Sequence, residues 1–596
     1  MTIFREAISE KIWDHKYRYR LQEKIVDQTI EETWLRVAKA VAKAEQTKNA
    51  ARWQQEFYDL LTGFRFLPGG RILAGAGTKK SVTLFNCFVM PLLEDSLSGI
   101  FDSLKEAALT LQQGGGVGYD FSTLRPRGYP VMHAGAVASG PVSFMRIWNA
   151  MCATMESTGA RRGAMMGILR CDHPDIEEFI AAKSDPHELR HFNVSVLVSD
   201  VFMQCVKENR EWELIFPAQE EDLTDTILRH WSNSAEPVAC RIIRRINARE
   251  LWQKIIKSAY EYAEPGVLFE DTINRQNNLW YREWISATNP CGEIPLPIYG
   301  ACNLGSINLT QFVIHPYAHD ANVDWEGLKK TAIIATRFLD NVIDISHYPL
   351  KMQKQEVYAT RRIGLGITGL ADMLIMLGVQ YGSDASLKLA NRVMKLLMET
   401  TWQASIELAK ERGVFPGFHA QKYAQGNFVQ RLPKEIRDDI EKHGIRNSHH
   451  NTIAPTGTIS LLANNVSNGI EPVFSVEYER TVRGLNGTSV KFLVKDYALR
   501  EWQNRQPEEK LPPAWVDTHS LTPEQHLRIQ AVIQPYVDNA ISKTINLPVD
   551  FPFDQLSEVY SMAYKSGLKG CTIFRPNEVT GSVLTVPSPD DLARCC

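Results

Sequence analysis

The chain has 596 residues, 44% hydrophobic and 23% charged, with a formal net charge of -3, a globular composition with no general attraction to nucleic acid or anionic membrane. Its length exceeds the roughly 250–300 residues at which a single core stops growing, so several domains or one large barrel are expected. Ten cysteines are too sparse for a disulfide scaffold, the N-terminus has no apolar signal region and no run of about 18 apolar residues occurs, so a cytoplasmic protein without a structural metal is expected.

Residues 1–65 place charged and apolar positions at helical spacing, as in TWLRVAKAVAKAEQ, and predict a small helical region. FLPGGRILAGAG (66–77) predicts tight turns, and the absence of any Gly-Lys-Ser/Thr triplet disfavours phosphate-loop ATPase chemistry. SVTLFNCFVM (81–90) reads as a buried strand carrying Asn86 and Cys87, and residues 94–113 as a helix capped by Asp95 or Ser96. GGGVGYDFS (114–122) reads as a flexible loop, because its glycine spacing lacks the dinucleotide fingerprint. In the stretch 138–180, which includes Ser139, a Gly- and Arg-rich loop, Ser157 to Gly163, is expected between a helix and a strand. Its Arg161 and Arg162 suit an anion, although a solvated basic turn accounts for them equally.

The chemistry concentrates in NPCGEIPLPIYGACNLG, Asn289 to Gly305. Pro290, Pro295 and Pro297 remove backbone donors and push the residues before them out of the helical region, so a loop with extended pieces is predicted. In an extended piece Asn289, Cys291 and Glu293 project to one side. A carboxylate two positions from a thiol raises the thiol pKa, which is wrong for a protease nucleophile and suits a thiol that gives up a hydrogen atom. The bland alternative is a small buried hydrophobe. Cys302 follows after a Tyr-Gly turn.

Residues 325–346 and 384–412 read as long amphipathic helices, and RRIGLGITGLADMLIMLG (361–378) between them as close helix packing. In NTIAPTGTISLLANN (451–465) a helix start after Pro455, with the hydroxyls of Thr456, Thr458 and Ser460, predicts an anion site that needs no lysine; an ordinary cap is the alternative. SGLKGCTIFRPN (566–577) reads as a last strand, and the Pro-, Ser- and acid-containing residues 578–596 as a mobile tail ending in Cys595 and Cys596.

Together NPCGEIPL with ACNLGSINL, FNCF, TGARRGAMMGILRCDHPDIEEF, RRIGLGITGLADM and APTGTIS resemble the catalytic subunit of ribonucleotide reductase, in the family's motif order over about residues 60–577. The resemblance implies an α/β fold: a ten-stranded α/β barrel over 66–577, made of two five-stranded parallel halves lying antiparallel, with the Cys291 loop inserted as a finger. The helical region 1–65 precedes it and a flexible redox tail, 578–596, follows. It further implies that Cys291 carries the thiyl radical that removes the ribose 3′ hydrogen, that Glu293 takes the 3′ hydroxyl proton and that Asn289 holds the sugar. Cys87 and Cys302 would be the redox pair; Asn86, Ser139, Thr456, Gly457, Thr458, Ile459 and Ser460 would bind substrate. Cys595 and Cys596 resemble the tail that re-reduces the pair and is itself reduced by thioredoxin or glutaredoxin, although the family usually separates its tail cysteines and these are adjacent.

Family members that draw a radical from a separate metal subunit carry two tyrosines in the last strand, where this chain has Ile573 and Phe574. The glycyl-radical motif of the anaerobic relatives is absent too, so the resemblance points to the adenosylcobalamin-dependent class; without an Asp-x-His-x-x-Gly motif, no histidine from the protein is expected on cobalt. It also implies a homodimer whose specificity site for dNTP or ATP effectors involves Asp95 and Arg161 or Arg162, with no ATP-cone module ahead of residue 60. Diphosphate substrates are expected. Two other readings stand: a large subunit that needs a radical partner, and a non-catalytic nucleotide-binding or thiol-redox protein on the same scaffold.

Overall fold

A computed structural model describes residues 3–22, 24–131, 136–157, 163–185, 187–218, 225–232, 234, 236–483, 489–577 and 584–585. Ten strands make the central sheet: β1 (Phe66–Pro68), β2 (Cys87–Val89), β3 (Gly116–Asp120), β4 (Met165–Arg170), β5 (Phe192–Val198), β6 (Gly266–Phe269), β7 (Ala301–Asn308), β8 (Ile363–Thr368), β9 (Thr544–Asn546) and β10 (Gly570–Phe574). Strands β2 to β6 pair in parallel, in chain order. Strand β6 then meets β10 antiparallel, β10 pairs β9 in parallel, and β7 pairs β8 in parallel. Parallel bridges Leu365↔Asn451 and Ile453↔Ile541 join β8 to the β9 side through residues 451–453. Antiparallel pairing of β7 with β2 completes the ring. The result is a closed barrel of two parallel halves running in opposite directions, with β1 added along β7.

Burial on both faces explains the sequence of these strands. Every residue of β4, β7 and β8 is buried, with helices outside and a second apolar cluster within. Two readings are corrected here. Residues 363–368 are a barrel strand, not helix packing; a Cβ on Gly366 would stand 2.1 Å from the Thr452 carbonyl oxygen, so the small residues serve strand-to-strand approach. Likewise Gly116–Asp120 is a strand, because a Cβ on Gly118 would lie 1.8 Å from the Thr288 carbonyl oxygen of the loop packed against it. In FLPGGRILAGAG, residues Phe66–Pro68 form β1 and Gly70–Gly75 a helix.

The N-terminal helices Ile30–Val41, capped by Thr29, and Thr47–Leu61 bury Trp34, Val37, Val41 and Phe57. They pack against the helix Trp325–Ile345, where Arg337 reaches Glu45 at 2.8 Å. Ser96, not Asp95, caps the helix Leu97–Gln112 through Gly99 N–H (3.1 Å). A hairpin, Glu477–Arg483 with Ser489–Lys495, stands beside the barrel, and the tail contributes one short strand to it, Leu584–Thr585. Among the described residues no helix is long and apolar enough to cross a membrane.

Candidate active site

Antiparallel pairing of Ala287–Thr288 with Pro295–Leu296 turns the Asn289–Glu293 segment into a finger inside the barrel. The tip is a tight turn and not a continuous extended run: Gly292 N–H donates to the Asn289 carbonyl at 3.1 Å, and Gly292 has φ +79°. Several strands grip the finger. Asn193 on β5 donates to the Pro290 carbonyl (2.8 Å), and the Glu293 carbonyl accepts from the Thr452 hydroxyl (2.8 Å) and from Ala540 N–H (2.9 Å).

The turn changes which side chains meet. Asn289 and Glu293 face each other, the amide nitrogen donating to Glu293 Oε2 at 2.7 Å and to Cys87 Sγ at 3.1 Å. The Asn289 oxygen accepts from Ile294 N–H (2.9 Å), which fixes the orientation of the amide. Cys87 Sγ in turn donates to Glu293 Oε1 at 3.8 Å. Cys302 stands opposite Cys87 in the β2–β7 register, and both thiols are free and buried.

Cys291 occupies the tip, is exposed, and lines a cavity of about 660 Å³. Burial first, then the Glu293 carboxylate, pushes its thiol well above the ordinary range. Burial raises the Cys87 and Cys302 thiols as well, with Glu293 adding to the rise at both. Burial also raises Glu293 to about 6, against the hydrogen bond from Asn289. Near neutral pH the site thus holds protonated thiols beside a largely ionised carboxylate. Such thiols are poor nucleophiles and competent hydrogen-atom donors.

The helix Gly457–Leu462 begins at Thr456, whose φ is +50°, and Pro455 before it lines the cavity. The hydroxyls of Thr456 and Ser460 are 3.0 Å apart, and Thr368 bonds both from β8. They shape the turn rather than pointing free donors outward. The first-turn N–H groups of Gly457, Thr458 and Ile459 have no intrahelical acceptor, and a Cβ on Gly457 would meet nothing within 4 Å, so this turn presents backbone donors rather than hydroxyls.

Other predicted residues stand apart from this cluster. Asn86 packs under Gly69, and its Oδ1 is buried without a partner among the described residues. Ser139 is exposed just before the helix Pro141–Ser157. Asp95 is paired with Arg125 at 2.6 Å. Arg161, Arg162, Cys595 and Cys596 lie outside the described residues. His187–His191 spells His-Glu-x-x-His, contrary to the expectation that the chain has no such motif and with it no structural zinc site. It forms a turn with Leu189 at φ +45°, not a helix that would align the two histidines. Among the described residues no group of three or more His, Cys, Asp or Glu could hold a metal.

The cavity wall also includes Val267, Phe474, Lys543, Ile573 and Phe574. Its mixture of apolar and hydrogen-bonding groups next to Cys291 fits a large organic cofactor. Tyr478 is also in the wall, with its hydroxyl donating to Asn465 Oδ1 at 2.8 Å, and among the described residues no histidine lines it.

A closed barrel with a thiol-tipped finger inside it, backed by a second pair of opposed thiols, is the scaffold of an enzyme that works through thiol chemistry. The family description "Ribonucleotide reductase, barrel domain" matches residues 85–574, and "Ribonucleotide reductase, all-alpha domain" matches residues 3–81. The chain is 38% identical over 580 residues to a vitamin B12-dependent ribonucleoside-diphosphate reductase of Mycobacterium tuberculosis, covering 94% of this chain and 77% of that protein. It is 36% identical over 600 residues to a protein of the same name from Thermoplasma acidophilum, covering 97% and 71%. A ribonucleoside-diphosphate reductase subunit alpha of Chlamydia muridarum is 27% identical, covering 92% and 56%. The chain belongs to the ribonucleotide reductase family.

Proposed function

We propose that this chain reduces ribonucleoside diphosphates to 2′-deoxyribonucleotides and depends on adenosylcobalamin, as the names of its relatives in Mycobacterium tuberculosis and Thermoplasma acidophilum suggest. One observation carries the reading: a protonated thiol, Cys291, faces a cavity at the tip of a finger whose Asn289–Glu293 pair is hydrogen-bonded to Cys87, itself opposite Cys302. The chemistry adenosylcobalamin supplies when bound is a carbon-centred radical able to take the Cys291 thiol hydrogen. Val267, Phe474, Ile573 and Phe574 would hold it in the cavity and exclude water.

The remaining steps belong to the chain's own groups. The Cys291 sulfur removes the ribose 3′ hydrogen atom and returns it at the end. Glu293 takes the 3′ hydroxyl proton, and Asn289 orients the sugar while holding Glu293 and Cys87 in place. The C2′–O bond breaks and the oxygen leaves as water; a C2′–H bond forms. Cys87 and Cys302 supply the two protons and two electrons and close into a disulfide. The backbone N–H groups of Gly457, Thr458 and Ile459 receive the phosphates, with Thr456 and Ser460 fixing that turn.

The division of the chain into residues 1–65, 66–577 and 578–596 follows the same reading, with Cys595 and Cys596 returning the pair to dithiol and thioredoxin or glutaredoxin re-reducing them. A cytoplasmic homodimer through the helix Leu97–Gln112 is supported by its Leu97, Phe101 and Leu109, exposed on one side at 67%, 51% and 39%. Asp95, Arg161 and Arg162 belong to the proposed effector site, and Asn86 and Ser139 to substrate binding. The test is turnover of purified protein with adenosylcobalamin, dithiothreitol and a ribonucleoside diphosphate. Deoxynucleotide formed by the wild type and absent in Cys291→Ser is the expected result. Product that appears only after a metal-containing radical protein is added overturns the cofactor assignment.

A further inference from the structure

The hairpin beside the barrel has one strand, Glu477–Arg483, with two occupied edges: Ser489–Lys495 pairs one, and Leu584–Thr585 of the tail pairs the other. The tail pairing is antiparallel, Arg480 opposite Leu584 and Glu479 opposite Thr585. Passing from 584 to 585, the tail therefore advances from Arg480 toward Tyr478. Tyr478 lines the cavity that Cys291 faces, as do Phe474 and Asp496 at the hairpin's base. The opposite strand direction would carry the chain toward the hairpin's far end. A two-stranded hairpin is marginal alone and its open edge is a template for pairing, so a third strand meets a need of the fold.

The sequence suits a short clip. Val583, Leu584, Thr585 and Val586 favour a strand, Gly581 and Ser582 precede them, and Pro587 lacks the donor that longer pairing would need. From Thr585 to Cys595 is ten residues, a reach of up to roughly 33–36 Å at about 3.3–3.6 Å each.

We infer that the outer edge of Glu477–Arg483 is the docking site of the chain's own C-terminal tail, clipping it at Leu584–Thr585 so that the thiol-bearing end is delivered to the cavity mouth. This rests on the proposed relay role of Cys595 and Cys596, and it concerns where the tail is held, not the exchange chemistry. The clip shortens the free tether, which raises the effective concentration of the tail thiols at the mouth.

Hydrogen exchange on the full-length protein tests the docking, with Thr585→Pro as the disrupting variant. The expected result is slowed exchange at residues 584–585 relative to 588–594 in the wild type, and in the variant, where proline removes the amide at 585, loss of the protection at Leu584. The variant's thioredoxin-driven turnover should fall about tenfold while its dithiothreitol-driven turnover stays at the wild-type level. Equal exchange across 583–594 in the wild type, or full thioredoxin-driven turnover in Thr585→Pro, overturns the inference. Should Cys595→Ser/Cys596→Ser keep thioredoxin-driven turnover, the relay reading falls, and the exchange measurement alone decides the docking.

Discussion

Cys87 and Cys302 stand directly opposite each other where the two parallel halves of the barrel meet antiparallel, β2 against β7. Opposed residues in such a pair have Cα atoms about 4.5–5.5 Å apart, within the range a disulfide spans without moving the backbone. The strand register thus prepares the pair for oxidation. In Cys595→Ser/Cys596→Ser, which cannot pass the disulfide to the tail, reaction with no external reductant should give about one product per site, and peptide mass mapping should find a Cys87–Cys302 disulfide. Cys302→Ser should lose repeated turnover while keeping the fold. Another cysteine partner for Cys87 would contradict the assignment.

Glu293 gives a pH signature. Burial raises its pKa to about 6 and the proposed base must be ionised, so activity is lost as pH falls through about 6 and recovered above it. Glu293→Gln should abolish turnover at every pH. For folding the sign is opposite: with the native pKa above the ordinary 4.5 of a glutamate, the cost of ionising the buried group develops above pH 4.5 and is complete above about 6. At pH 8 the Gln variant escapes that cost, on the order of 2 kcal/mol. A denaturation midpoint well below wild type, or an unchanged acid limb in a partly active variant, would count against this role.

The finger's seat depends on Gly118. A Cβ there would lie 1.8 Å from the Thr288 carbonyl oxygen, whereas a Cβ on Gly292 meets nothing within 4 Å. Gly118→Ala should cost about 1–3 kcal/mol by overpacking and lower turnover by about 100-fold through displacement of Cys291. Gly292→Ala pays only for its positive φ, about 1 kcal/mol. Paired melting and turnover measurements distinguish the two; equal effects would mean that the finger is not seated on β3.

Much of the site was legible because its chemistry is local. Three prolines forced Asn289–Glu293 into a loop, and the carboxylate near Cys291 predicted a protonated thiol, which burial reinforces. The Cys87–Cys302 pairing was not legible from spacing, since 215 residues separate the two in sequence and register alone brings them together; the family resemblance supplied it. Glycine-rich barrel strands were the main loss. Gly116–Asp120 and Ile363–Thr368 lack alternation because both faces are buried, and their glycines answer to backbone neighbours that are distant in sequence. The His-Glu-x-x-His at 187–191 shows the converse, a motif without the helix that gives it meaning.

Asn289 ties these parts together. Its amide nitrogen serves both Glu293 and Cys87, so Asn289→Ala removes both bonds at once, together with those its oxygen accepts from Ile294 N–H and the Thr288 hydroxyl, about 0.5–1.5 kcal/mol of stability each. Without that donor the acid limb of the pH profile should shift upward from about 6, because the hydrogen bond lowers the Glu293 pKa. An unshifted limb would mean that Asn289 does not tune the base.

The central claim is that the Cys291 thiol carries a hydrogen atom between bound adenosylcobalamin and the substrate. A thiol hydrogen exchanges with solvent and a carbon-bound hydrogen does not, so solvent deuterium can reach the cofactor's 5′ carbon only through a thiol. Purified protein is incubated in D₂O with adenosylcobalamin and a nucleotide effector, and the recovered cofactor is weighed by mass spectrometry. The account predicts deuterium incorporation by the wild type and none by Cys291→Ser that still binds the cofactor. Incorporation by Cys291→Ser, or none by a cofactor-saturated wild type, would contradict it.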